Sequence, residues 1–168
     1  VYNDFYFESD QARAYPYGRL AAQVVGFVGR NKDDGDDIAR GRAGIEMMLE
    51  QVLAGKNGRF DCSKDAIQRE FDLNGRWLEE PEDGLDVHLT LDMRVQAIAD
   101  EALGDVFAKF PCESAVAVVL ETRTGRVLAM TSRPDFDPAT LGSKRFKLSD
   151  TRCRAIADSY PPGSVMKL

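Results

Sequence analysis

The 168-residue chain has little cysteine, a single histidine and a single tryptophan. Cys62, Cys112 and Cys153 are far apart and form no Cys-x-x-Cys pair, so neither a zinc knuckle nor a disulfide framework is indicated. They are expected as buried free thiols. His88 sits in an alternating apolar segment and is expected as a strand residue, which nearly excludes a His-dependent triad. Long apolar runs are lacking. The longest, Leu20 to Gly29, is interrupted by Gln23, and falls well short of the ~20 residues that span a bilayer. No basic-then-apolar signal segment opens the chain, so if the protein belongs to a membrane its anchor is expected outside these residues. A surplus of basic charge is also missing. With 22 Lys+Arg against 28 Asp+Glu the net charge is −6, which argues against nucleic acid as the main partner.

What is present suffices for a core: 43% of residues are hydrophobic and 30% are charged, ordinary values for a soluble chain. Charge divides the sequence unevenly. Residues 1–84 carry 17 acids and 11 bases, a balance of −6, whereas residues 85–168 carry 11 of each. The division falls in the turn-rich stretch Glu79-Glu80-Pro81-Glu82-Asp83-Gly84, where we place a module boundary. In the first module, Val1 to Phe7 is strand-like, and Leu20 to Val28 reads as a short buried helix or strand. Asn31 to Asp37 is a charged loop whose carboxylates lack the spacing of a calcium loop. Ala43 to Leu53 reads as a helix, with Ile45, Met48, Leu49, Val52 and Leu53 on one stripe, both methionines as core filler and Gly55 as a left-handed cap. Ala66 to Leu73 and Arg76 to Glu79 flank Asn74-Gly75, a two-residue hairpin signal.

The second module opens with an alternating strand, Asp86 to Leu91. Asp92 then caps a helix in which Val95, Ile98, Ala99, Ala102, Leu103, Val106, Phe107 and Phe110 form a buried stripe, ended by Pro111. Ala115 to Glu121 is so uniformly apolar that burial on both faces is expected. Thr122 to Gly125 turns, Arg126 to Ser132 returns as a strand, and Arg133 to Pro138 is a proline-bounded loop. Lys144, Arg145, Lys147, Arg152 and Arg154 make a basic stretch, read as solvated surface.

One constellation carries chemistry. Ser164 and Lys167 stand three apart directly after Pro161-Pro162-Gly163. If a helix begins near Ser164, the two side chains share a face. A serine hydroxyl is a poor nucleophile until a base takes its proton, and a lysine can be that base once burial or a neighbouring cation destabilises its ammonium. Amide N–H groups at the helix start point toward an oxyanion on the attacked carbonyl. On spacing alone, a capping serine followed by an exposed lysine is the commoner occurrence.

The surrounding residues resemble those of class B penicillin-binding proteins, the D,D-transpeptidases of peptidoglycan synthesis. Arg13-Ala14-Tyr15-Pro16-Tyr17-Gly18 is similar to the R-x-Y-P-x-G element of the family's non-catalytic pedestal, and Gly41-Arg42-Ala43-Gly44-Ile45-Glu46 to its G-x-x-G-I-E element. Leu89-Thr90-Leu91-Asp92 with Gln96 resembles the L-T-I-D-x-x-x-Q entry into the transpeptidase domain. Val116 to Leu120, Thr124 to Met130 and Pro134-Asp135-Phe136-Asp137-Pro138 resemble its first two strands and following loop, and Pro162-Gly163-Ser164-Val165-Met166-Lys167 its P-G-S-x-x-K.

The resemblance implies an α+β fold, with residues 1–84 as the pedestal and 85–168 as the N-terminal part of a transpeptidase domain. It implies that Ser164 attacks the penultimate D-alanine carbonyl of a stem peptide and is acylated by β-lactams, with Lys167 relaying protons. Arg13 and Glu46 are implied as a structural charge pair. Implied partners are peptidoglycan stem peptides, β-lactams and proteins of the division or elongation machinery, on the outer face of the cell membrane. No metal or organic cofactor is indicated. Departures are equally specific. The S-x-N and K-T-G elements that complete the cleft do not occur in these 168 residues, Gln23 stands where the family commonly has His, and Cys153-Arg154-Ala155 replaces Asn-Arg-Ala. Loss of one oxyanion donor alone can cost about 10²–10³ in rate, so the 168 residues by themselves are expected to be inactive. A pure interaction scaffold is the alternative, and the pedestal elements disfavour a penicillin-sensing receptor. One strand of the transpeptidase hairpin is expected to present an unpaired edge, open to a partner or a second copy.

Overall fold

The computed structural model describes residues 12–30, 39–64, 70–159 and 161, with backbone alone for 62–64 and 70–75. Five helices, six strands and two 3₁₀ turns occur among them, in the mixed α+β arrangement the sequence implies. The apolar run from Leu20 becomes both a helical turn and a strand: α1 (Ala22–Val25) and β1 (Phe27–Arg30). Gly26 separates them at φ 85°, and a Cβ there would stand 1.8 Å from the Ala43 carbonyl oxygen. Only glycine lets β1 close onto β2 (Ala39–Ala43), its antiparallel partner. The Asn31 to Asp37 loop and the Val1 to Phe7 segment lie outside the described residues.

The stretch read as one helix from Ala43 to Leu53 is two, α2 (Gly44–Met48) and α3 (Glu50–Leu53), meeting at Leu49 with φ −111°. The buried position is Glu46, not the methionines: Met47 is 56% and Met48 77% exposed. The cause is Arg13, whose guanidinium donates to both Glu46 carboxylate oxygens at 2.6 and 2.9 Å and turns that face inward. Gly55, at φ 66°, closes α3 against the chain at Glu82, where a side chain would clash with backbone.

The hairpin placed at Asn74-Gly75 turns elsewhere. Strands β3 (Arg59–Lys64) and β4 (Glu70–Glu79) pair antiparallel, so the dipeptide lies inside β4. Asp61 pairs with Arg76 but Ser63 with Phe71, so a step of two residues along β3 matches a step of five along β4. Asn-Gly suits the irregular backbone of a bulge as well as that of a turn.

Residues 83–92 form no strand, because among the described residues no neighbour offers them a ladder. The segment, with exposed His88, is tied down instead by Thr90 donating to the Val127 carbonyl (2.6 Å) and the Asp92 N–H donating to that of Leu128 (2.9 Å). Asp92 then caps α4 (Met93–Lys109), accepting from the amides of Arg94 and Val95. The helix ends before Pro111 as expected.

Helix α4 covers one face of a two-stranded antiparallel sheet, β5 (Ala115–Leu120) and β6 (Val127–Arg133). Its apolar stripe is wider than the surface this sheet offers. Leu103 and Gln96 are buried, whereas Ile98, Val106 and Phe110 remain exposed. The other face of the sheet is covered by α1 and by α5 (Arg154–Ala157). That cover does not reach across β5, so Val116, Val118 and Leu120 are exposed, against the expectation of burial on both faces. The outer edge of β5 has no strand partner among the described residues.

After β6 the chain passes a cis Arg133-Pro134 bond and two 3₁₀ turns, Pro138–Thr140 and Leu148–Thr151. Phe136 and Phe146 stack edge-to-face with Phe27 of β1, ring centroids 5.8 and 5.6 Å away. Ala22, Phe27 and Phe136 are the centre of the core, so one aromatic cluster joins the first half of the sequence to the second.

Candidate functional site

Ser164 and Lys167 lie outside the described residues. What is described is the structure preceding them in the chain. The Cys153 carbonyl accepts from the amides of Ile156 and Ala157 and starts α5. Arg152 donates to the Ala157 carbonyl (2.8 Å) and pairs with Asp158 (2.7 Å), and Arg154 reaches the same carboxylate at 3.3 Å. Two guanidiniums on one carboxylate fix the end of this helix. The Arg154 Nε is buried without a hydrogen-bond partner among the described residues. The Cys153 sulfur sits 3.6 Å from that of Met130, and burial raises the thiol pKa, which keeps it a neutral packing group. Cys112, by contrast, is exposed, correcting the expectation of buried thiols, and the Cys62 side chain lies outside the described residues.

Between this segment and β5 runs a groove of about 810 Å³. Val116 and Val118 of the open strand form one side, with Arg152, Arg154 and Ser159 on the other. Of the basic stretch, Lys144, Arg145 and Lys147 face solvent, as read from the sequence. Among the described residues no group of three or more His, Cys, Asp or Glu gathers where a metal could be held.

Four side chains hold the sheet beneath the groove. Gln96, fully buried, donates to the Met130 carbonyl (3.0 Å) and accepts from the Met130 N–H (2.8 Å), standing in for a strand on the outer edge of β6. Arg133 grips Asp100 of α4 through both its terminal nitrogens, at 2.9 and 2.8 Å. Burial pushes the Asp100 pKa up, but hydrogen bonds from Arg133 and Thr131 outweigh it and hold the carboxyl below its usual range. Arg19 clamps Asp135 at 3.1 and 3.0 Å. Gln23, 6% exposed, donates to the carbonyls of Pro134 (2.8 Å) and Asp150 (2.6 Å) and accepts from the Ser132 hydroxyl (2.5 Å).

The Arg13–Glu46 pair, implied by the family resemblance, is brought together in the structure. The roles of Gln23, Asp100 and Arg133 were not legible in the sequence. A signal for Gln23 did exist: one polar residue inside the longest apolar run, which burial obliges to find partners.

Paired side chains thus tie the first half of the chain to a helix-backed hairpin, and known proteins share this arrangement. A family model described as penicillin-binding protein dimerisation domain matches residues 2–89, and one described as penicillin binding protein transpeptidase domain matches residues 115–168. The chain belongs to this family. It is 34% identical over 165 residues to the probable peptidoglycan D,D-transpeptidase PenA of Neisseria gonorrhoeae, covering 98% of this chain and 27% of that protein. It is 32% identical to the stage V sporulation protein D of Bacillus subtilis, over 97% of this chain and 24% of the relative. The crystal structure of penicillin binding protein 2X from Streptococcus thermophilus superposes with a TM-score of 0.63 at 29% identity, over 79% of this chain and 20% of that one. The chain thus spans about a quarter of the length of the curated relatives it matches.

Proposed function

We propose that the chain works as part of a peptidoglycan D,D-transpeptidase, with residues 1–84 as its pedestal and 85–168 as the leading part of its catalytic domain. Ser164 attacks the penultimate D-alanine carbonyl of a stem peptide, forming an acyl-enzyme and releasing the terminal D-alanine. Lys167 takes the hydroxyl proton and returns one to the leaving amine. A second amine, the acyl acceptor, then displaces the serine. β-Lactams acylate the same oxygen through ring opening. The site acts on the outer face of the cell membrane, among cell-wall synthesis proteins. The observation that carries this reading is Pro162-Gly163-Ser164-Val165-Met166-Lys167, within a match to a transpeptidase domain and following in the chain a helix end fixed by Arg152 and Arg154 on Asp158. The full-length protein is expected to bind fluorescent penicillin covalently, S164A to lose all label, and K167A to label far more slowly. Undiminished labelling of S164A would overturn the reading. The 168 residues alone, without S-x-N or K-T-G, are expected to remain unlabelled.

A second reading, an interaction scaffold, is favoured by one feature of the pedestal. Phe60 and Trp77 stack edge-to-face across β3 and β4, 5.0 Å between centroids, yet are 43% and 52% exposed, with Leu78 beside them at 49%. An exposed aromatic pair of this kind suits a protein partner. The two readings coexist if the pedestal docks the enzyme to its machinery.

A further inference from the structure

Among the described residues, Gln23 is the one side chain of the first module that reaches both the end of β6 and the 3₁₀ turn Leu148–Thr151, which precedes Ser164 in the chain. Its carboxamide uses both of its donors and accepts once. Both N–H groups are spent on carbonyls that belong to separate segments, Pro134 and Asp150, and its oxygen accepts from Ser132, itself 1% exposed. The partners fix the amide orientation, since a flipped group would set its oxygen against two carbonyl oxygens. The backbone that aims it is strained: Ala21, just before α1, has φ 57° in the left-handed region, where a Cβ is unfavourable. Strain of this kind persists where the surroundings over-determine the conformation.

We propose that Gln23 is a positioning residue for the acylation of Ser164: through the Asp150 carbonyl it sets the register between the sheet and the segment that runs on to the nucleophile. The inference rests on the transpeptidase reading above. It makes the pedestal part of the support for the segment that leads to the nucleophile, because removing one amide takes away the side-chain link between the Leu148–Thr151 turn and the end of β6. A carboxylate cannot replace it. The Q23E side chain would donate nothing to the two carbonyls and would repel both.

The test uses the full-length protein and fluorescent penicillin, with single-turnover kinetics giving the acylation rate constant separately from the fraction acylated. Q23A and Q23E are expected to lower the rate constant about tenfold or more while the fraction acylated stays complete, as small misplacements of a reacting group do. Q23H, which keeps one N–H donor and one acceptor, is expected to recover part of the loss. K56A, which cuts the exposed Lys56–Glu82 pair far from these contacts, is expected to keep the wild-type rate. A merely structural role would show the opposite: a reduced acylated fraction with an unchanged rate constant, and this overturns the proposal. Amide hydrogen exchange reads the same device without the reaction. Q23A is expected to speed exchange over 148–158 and leave α4 unchanged, and unaltered exchange over 148–158 overturns the proposal even if the wild type binds no penicillin. Wild-type protein that takes no label at all contradicts the transpeptidase reading and the assigned role together, whatever the exchange shows.

Discussion

Replacing Gln96 by leucine tests whether a side chain completes the β5–β6 sheet. Gln96 is wholly buried in α4, and its amide makes two hydrogen bonds to Met130, one to each backbone group. Leucine removes both hydrogen-bonding groups and is larger by only about one methylene, so most of the cost comes from the backbone left behind. A buried donor or acceptor without a partner costs about 1–3 kcal/mol, and a typical bond contributes about 1 kcal/mol net. With an N–H and a carbonyl stranded together, and some relief from water entering the edge, the loss should be about 2–4 kcal/mol. At about 2–4 °C per kcal/mol for a protein of this size, the melting temperature falls by roughly 4–16 °C. Circular dichroism melts and urea titrations at constant m-value read this directly. Q96E should cost at least as much as Q96L, since its carboxylate accepts from the Met130 N–H but lies buried and undonating against the Met130 carbonyl. A Q96L protein within about 0.5 kcal/mol of wild type, the range of neutral surface changes, would refute the reasoning.

Two further outcomes follow from the same physics. Asp100, its pKa held below the usual range by Arg133 and Thr131, contributes stability that is present above about pH 4 and is lost as pH falls through its folded pKa; D100N should therefore be less stable than wild type at pH 7, with the gap closing in acid melts, and an unchanged gap at about pH 3 would contradict the assignment. A21G relieves a left-handed alanine worth about 1–2 kcal/mol, offset by about 0.5–1 kcal/mol of added unfolded-state freedom and about 0.8 kcal/mol for a lost buried methyl, so urea titrations should place it within about 1 kcal/mol of wild type, and a loss of about 2 kcal/mol or more would contradict the strain.

Where local chemistry decides the structure, the sequence was readable. Asp92 caps α4, Pro111 follows its end, and Thr122 to Gly125 turn between β5 and β6 as their side chains dictate. Where tertiary partners decide, it was not. The stripe through Met48 predicted a buried face, yet a single arginine 33 residues away pulls Glu46 inward and leaves both methionines outside. Asn74-Gly75 signalled a turn that the register of β3 and β4 absorbs as an irregularity within a strand. Val116 and Val118 follow the pattern of a strand covered twice, but the elements that pack on the sheet cover β6 more fully than β5. The proposed chemistry was legible only as the Ser164–Lys167 motif; the contacts of the chain that precedes it were not, because a buried amide such as Gln23 takes partners more than a hundred residues away.

The central claim is that one hydroxyl becomes covalently loaded. Peptide mapping by mass spectrometry of the full-length protein after brief exposure to penicillin tests it most directly. The account predicts the intact drug mass, added with its ring opened, on the peptide that contains Ser164 and on that residue. An adduct on any other residue, or none under conditions where a known transpeptidase is fully modified, would contradict it.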